Sequence, residues 1–191
     1  MPRLTRPSDA DLQRIADGSQ RAAVSYLEIG ATRQATMPSG YRVDHYERAL
    51  GVGEDIFERA VDALRRWDAQ TGAGIRVIPR GARVEEGETV LFVLRAFGLW
   101  TVAPCRVVYV REEANRFSFG YGTLPGHPEC GEVAMTVSRD DSGAVTATID
   151  SFSRTVALLP RAVRPITRSL QARVTSRYLE ALAVSASSAE A

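Results

Sequence analysis

The sequence predicts an α+β domain in which a curved antiparallel β-sheet grips a long C-terminal helix. Three observations carry this. Apolar and aromatic segments between Ile75 and Phe152 are separated by short turns, so successive strands pair antiparallel. An amphipathic helix precedes that run and a longer one follows it. One face of the sheet needs a cover, and the last helix is the only element large enough to supply it.

In chain order, residues 9–16 suit a short helix with Ser8 or Asp9 as N-cap. Residues 19–39 mix weak signals and read as irregular or partly helical. Residues 41–50 alternate imperfectly and predict a strand, turned by Gly51-Val52-Gly53. Residues 54–67 predict a helix, because Ile56, Phe57, Ala60, Val61, Leu64 and Trp67 recur at helical spacing behind Glu54 and Asp55. Gly72 and Gly74 end that unit. Strands are predicted over 75–78, 89–97, 100–112, 116–123 and 144–152, with Pro104 marking a bulge or an edge. Phe117, Phe119 and Tyr121 share one strand face, and Val133, Met135 and Val137 alternate inward on the next. Asp140-Asp141-Ser142-Gly143 is a hairpin turn. The closing helix spans about residues 157–184, with Val163, Ile166, Leu170, Val174, Tyr178 and Leu182 as its stripe. Pro160 precedes it and Pro165 sits in its first turn.

The 191 residues divide into an N-terminal extension packed on the domain (1–40), the sheet-and-helix domain (41–185) and a frayed tail (186–191). The net charge of +1 provides no global field for nucleic acid or an anionic membrane. All the basic side chains are arginine, which excludes lysine Schiff-base chemistry. The longest apolar stretch, 89–105, is broken by Arg95 and Pro104 and is no membrane span. Cys105 and Cys130 form no metal motif and read as reduced thiols of a cytoplasmic protein. No cofactor is expected.

The densest run of backbone punctuation is Tyr121-Gly122-Thr123-Leu124-Pro125-Gly126-His127-Pro128-Glu129-Cys130-Gly131-Glu132. Together with Gly30-Ala31-Thr32, Pro38-Ser39-Gly40-Tyr41, Leu50-Gly51-Val52-Gly53, Phe57, Trp67 and Cys105-Arg106-Val107-Val108, it carries a family likeness. Phe152-Ser153-Arg154, Gln171 and Arg177-Tyr178 extend it. The chain resembles family 1990 of the domains of unknown function, which is itself similar to the START and Bet v 1-like helix-grip domains. The resemblance implies a helix-grip fold and no particular activity. It departs where the family shows Gly-Glu-Glu, a small residue and Phe; here Glu132 is followed by Val133, Ala134 and Met135.

Three functions stay open. The first is a binder of a small apolar or amphipathic molecule in a cavity between sheet and helix. Trp100, Phe117, Phe119, Tyr121 and Met135 would line it, with His127 and Glu129 at its mouth. The second is an enzyme using His127 with Glu129 or Glu132 as acid and base. The third is a protein-interaction module without a small ligand. The spacing of His127, Glu129 and Glu132 matches no defined metal motif. Alternation puts Glu132 opposite Val133 and Met135, so it is expected to brace Arg106 or Arg154.

Overall fold

The computed structural model describes residues 3–96, 98–155 and 164–187. Helix α1 (Asp9–Arg21) opens the described chain, and a single 3₁₀ turn (Ala31–Arg33) follows. Strand β1 (Arg42–Val52) leads into α2 (Glu54–Arg65) and α3 (Asp68–Gly72). Six strands come next: β2 (Arg76–Ile78), β3 (Thr89–Ala96), β4 (Leu99–Glu113), β5 (Arg116–Thr123), β6 (Glu129–Arg139) and β7 (Ala144–Thr155). Helix α4 (Arg164–Ser187) closes the chain.

The strands form one sheet in the order β1-β7-β6-β5-β4-β3-β2, and every neighbouring pair is antiparallel. The first strand therefore closes beside the last. The α2–α3 unit and α4 cover one face, where Phe92, Phe117, Phe119, Met135 and Ile149 meet Leu64, Trp67, Leu179 and Leu182. This is the predicted sheet and gripped helix. Close approach of α3 and α4 needs Gly72, because a Cβ there would lie 2.7 Å from that of Ala181.

Tyr178 and Leu182 of the predicted α4 stripe are buried, and Val174 packs beside them. Val163 and Pro160 fall outside the described residues, as do the side chains of Ile166 and Leu170. The helix runs to Ser187, past the start of the expected tail. Ala186 is buried there and its carbonyl accepts from Arg59 Nε at 2.8 Å. Trp67 does not end α2 as the spacing suggested. It takes the left-handed conformation (φ 63) between α2 and α3, which turns the chain and drives its indole into the core.

The opposite face belongs to the N-terminal extension. Ser8 and Asp11 form a reciprocal capping box that starts α1. Leu12 of α1 then packs on Leu91, Val93 and Val102. Residues 19–39 are mostly irregular, as read, yet Tyr26 and Ala31 are buried against Cys130 and Phe152.

Candidate functional site

The glycine-rich motif is strand at both ends and a turn only in its middle. Register pairs Phe119 with Met135, Tyr121 with Val133 and Gly122 with Glu132. Strict alternation therefore splits the motif between the two faces of the sheet.

On the helix side, Phe117, Phe119, Tyr121 and Met135 are brought together as predicted, and all four are buried. Their neighbour is Trp67, whose ring meets Phe92, Phe119 and Tyr121 edge-on, with centroids 5.5, 5.3 and 5.8 Å away. Such T-shaped pairs add about 1 kcal/mol each beyond area burial. A polar component runs through this apolar wall. Gln70 is fully buried, and its Nε2 donates to Met135 Sδ at 3.1 Å. Trp67 Nε1 and Gln70 Oε1 have no hydrogen-bond partner among the described residues. Burial pushes the hydroxyls of Tyr121 and Tyr178 and the Cys105 thiol upward, so all three are neutral near pH 7.

At the turn, Leu124 N donates to Pro104 O at 3.0 Å, and His127 N donates to Leu124 O at 3.1 Å. His127 is half-buried. His127 Nδ1 lies 2.9 Å from Glu129 N and 3.0 Å from Glu129 O, so the ring is tied to the Glu129 backbone in either tautomer. Desolvation outweighs the pull of the Glu129 backbone and lowers the His127 pKa to about 4. The imidazole is thus neutral near pH 7 and closes its own turn.

Glu132 points to the other face, 1% exposed. Its Oε2 accepts from Tyr26 Oη at 2.6 Å and from Gly30 N at 2.7 Å. Its Oε1 accepts from Thr32 N at 3.0 Å and Thr32 Oγ1 at 2.5 Å. Thr32 Oγ1 also meets Tyr109 Oη at 2.9 Å. Gly122 makes room for this cluster, since a Cβ there would collide with the Tyr26 ring; Gly120 does the same for Tyr109.

The expected arginine partners of Glu132 are corrected. Arg106 shares a row of the sheet with Gly122 and Glu132. The Tyr26 ring lies over Gly122 in that row, and the Arg106 guanidinium turns to α1 instead. It donates to Ala22 O at 2.8 Å, Ser19 O at 2.7 Å and Gln20 O at 3.0 Å, completing the helix C-terminus. Arg154 stacks 5.0 Å from the Tyr41 ring centroid. Four donors from the N-terminal segment satisfy the carboxylate in their place.

Trp100 is likewise separated from the aromatic wall. It packs beside the α1 cluster on the outer face, with Arg6 5.8 Å from its ring centroid. Glu129 opposes Thr155 on β7. Among the described residues, His127 and Glu132 share no hydrogen bond, and no group of three or more His, Cys, Asp or Glu side chains is placed to hold a metal ion. No described helix is long and apolar enough to cross a membrane. Two surface hollows lie away from the aromatic wall. One of about 610 Å³ runs between α2 and the β4–β5 turn, and one of about 350 Å³ runs between α1, Pro104 and Gly126.

Sequence reasoning did not single out Gln70 on the inner face or Tyr26 on the outer one, and it gave Trp67, Gly30 and Thr32 no part in a site. Gln70 carried a legible signal, a polar side chain in line with a buried tryptophan. The Tyr26 segment has no periodicity, and only the need for space above Gly122 hints that something must cover that row.

Comparison with known proteins agrees with this architecture. The chain is 31% identical over 191 residues to a UPF0548 protein of Deinococcus radiodurans, covering 94% of this chain and 96% of that protein. It is 27% identical over 187 residues to a UPF0548 protein of Dictyostelium discoideum, covering 87% of each. A solved structure of a hypothetical protein from Helicobacter pylori superposes with a TM-score of 0.56 at 11% identity, covering 85% of this chain and 95% of that one. A Thermus thermophilus structure gives 0.53 at 13% identity, covering 76% and 97%. Those two likenesses concern the fold alone. The model of the domain of unknown function DUF1990 matches residues 25–181, and the chain belongs to that family.

Proposed function

We propose that the domain binds a small apolar or amphipathic molecule between the sheet and its C-terminal helix. One observation carries this reading: Trp67 Nε1 and Gln70 Oε1 are buried polar atoms with no partner among the described residues. A buried donor or acceptor left unmatched costs about 1–3 kcal/mol, and native interiors rarely keep two together without a use. Trp67 caps α3 and Gln70 lies one turn on; the first meets Phe92, Phe119 and Tyr121 of β3 and β5, and the second meets Met135 of the adjoining β6. Phe117, Phe119, Tyr121 and Met135 supply the apolar wall, with Tyr178 of α4 across from it. Trp67 fills the interior toward Phe92, so the molecule lies beside its ring, and His127 stands at the β5–β6 turn as the mouth residue.

The acid–base alternative has less support, because Glu132 is committed to the N-terminal segment and His127 Nδ1 to the Glu129 backbone. The test is native mass spectrometry of protein purified from its own source, with fluorescence of a Trp100→Phe variant, in which Trp67 is the remaining tryptophan. The expected result is a co-purifying small molecule whose removal changes Trp67 emission. Protein of bare chain mass, with Trp67 emission indifferent to apolar probes, would overturn the reading.

A further inference from the structure

The inner face says more about the head of such a molecule than about its tail. We infer that the interior site selects an uncharged head that both donates and accepts a hydrogen bond, an alcohol or a carboxamide, and rejects a carboxylate of the same chain length. This rests on the ligand-binding reading above.

The two unpartnered atoms are of opposite kind. Trp67 Nε1 is only a donor, and Gln70 Oε1 is only an acceptor. A hydroxyl accepts from the first and donates to the second with one atom, and a carboxamide does so with two. An ionised carboxylate has acceptors alone, so it leaves Gln70 Oε1 facing a lone pair. It also needs a countercharge, and none is recorded against Trp67 or Gln70 among the described residues. The side chains recorded against Trp67 and Gln70 are Phe92, Phe119, Tyr121 and Met135, all uncharged, and Tyr178 and Cys105 lie near Tyr121. Burial holds Tyr121, Tyr178 and Cys105 in their protonated forms, which removes any anion that an ammonium head would seek. The nearby carboxylate, Glu132, lies on the other side of the sheet and is saturated by Tyr26, Gly30 and Thr32. Moving an unpaired charge into such surroundings costs far more than moving a hydroxyl that finds both partners.

The test uses the full chain carrying Trp100→Phe, with decanol, decanamide and decanoate titrated separately at about pH 8, where decanoate is ionised. Trp67 emission reports binding. Decanol and decanamide should bind, with decanoate at least about tenfold weaker. Gln70→Leu should weaken decanol by about tenfold while leaving the melting temperature near that of the parent. Decanoate binding as tightly as decanol, or Gln70→Leu leaving decanol affinity unchanged, overturns the selectivity and leaves ligand binding standing. Indifference of Trp67 to all three probes overturns ligand binding and the selectivity with it.

Discussion

The two faces of the β5–β6 pair are made by the same two strands and behave in opposite ways. On the inner face, large rings close on Trp67, and two polar atoms have no hydrogen-bond partner among the described residues. On the outer face, Gly120 and Gly122 strip the sheet of side chains so that Tyr109 and Tyr26 can lie on it, and both Glu132 oxygens are filled. A saturated polar cluster holds a chain segment in place. An unsaturated one in an apolar setting is suited to receiving something from outside. The motif that concentrates histidine and glutamate is therefore mainly a fastening, and the side chains proposed to meet a ligand are on its reverse.

The largest effect should come from Glu132→Ala, which strands Tyr26 Oη, Gly30 N and Thr32 N together and leaves Thr32 Oγ1 with Tyr109 alone. A loss of about 4 kcal/mol is expected in urea unfolding, with faster hydrogen exchange across residues 25–33. A loss below about 1 kcal/mol would break the fastening picture. Next comes Gly122→Ala, whose Cβ would strike the Tyr26 ring, at about 2 kcal/mol. Adding Tyr26→Leu should relieve most of that clash, and simple additivity in the double variant would argue against it. Arg106→Leu removes the cap on Ser19, Gln20 and Ala22 carbonyls and should cost about 1–2 kcal/mol, read as exchange in the last turn of α1.

The smallest effect separates the two histidines. His127 is depressed to about 4 by burial, whereas His45 is raised by its 2.6 Å contact with Asp150. A histidine whose folded pKa lies below its unfolded value of about 6.5 favours unfolding when protonated. The His127 contribution is thus intact above about pH 6.5 and is lost as pH falls toward about 4. The His45 contribution runs the other way: it is full below about pH 6.5 and fades as pH rises through its elevated folded pKa. NMR titration of the ring protons should show His45 titrating above the ordinary value and His127 well below it. The reverse order would contradict both environments.

Strands and their faces were legible because period-two alternation reports them directly. It correctly put Phe117, Phe119 and Tyr121 on one face and turned Glu132 away from Met135. The long helix was legible from its stripe, whose described members Val174, Tyr178 and Leu182 pack on the core. Partners were not legible. Glu132 looked suited to an arginine, yet irregular backbone took it, because Gly30 N and Thr32 N can reach a carboxylate only once the segment is laid across the sheet. Trp67 was read as the next step of a regular helix, and its left-handed φ is a tertiary outcome: burial of the indole among Phe92, Phe119 and Tyr121 outweighs the local cost. Trp100 looked like part of the same aromatic wall, but strand alternation put it on the α1 side.

The two tryptophans therefore report one on each face, and their indole N–H resonances offer the most direct test of the claim that only the inner face receives a ligand. On adding decanol to the unmodified protein, the Trp67 resonance should move and the Trp100 resonance should stay. A fixed Trp67 signal, or movement confined to Trp100, would contradict the account.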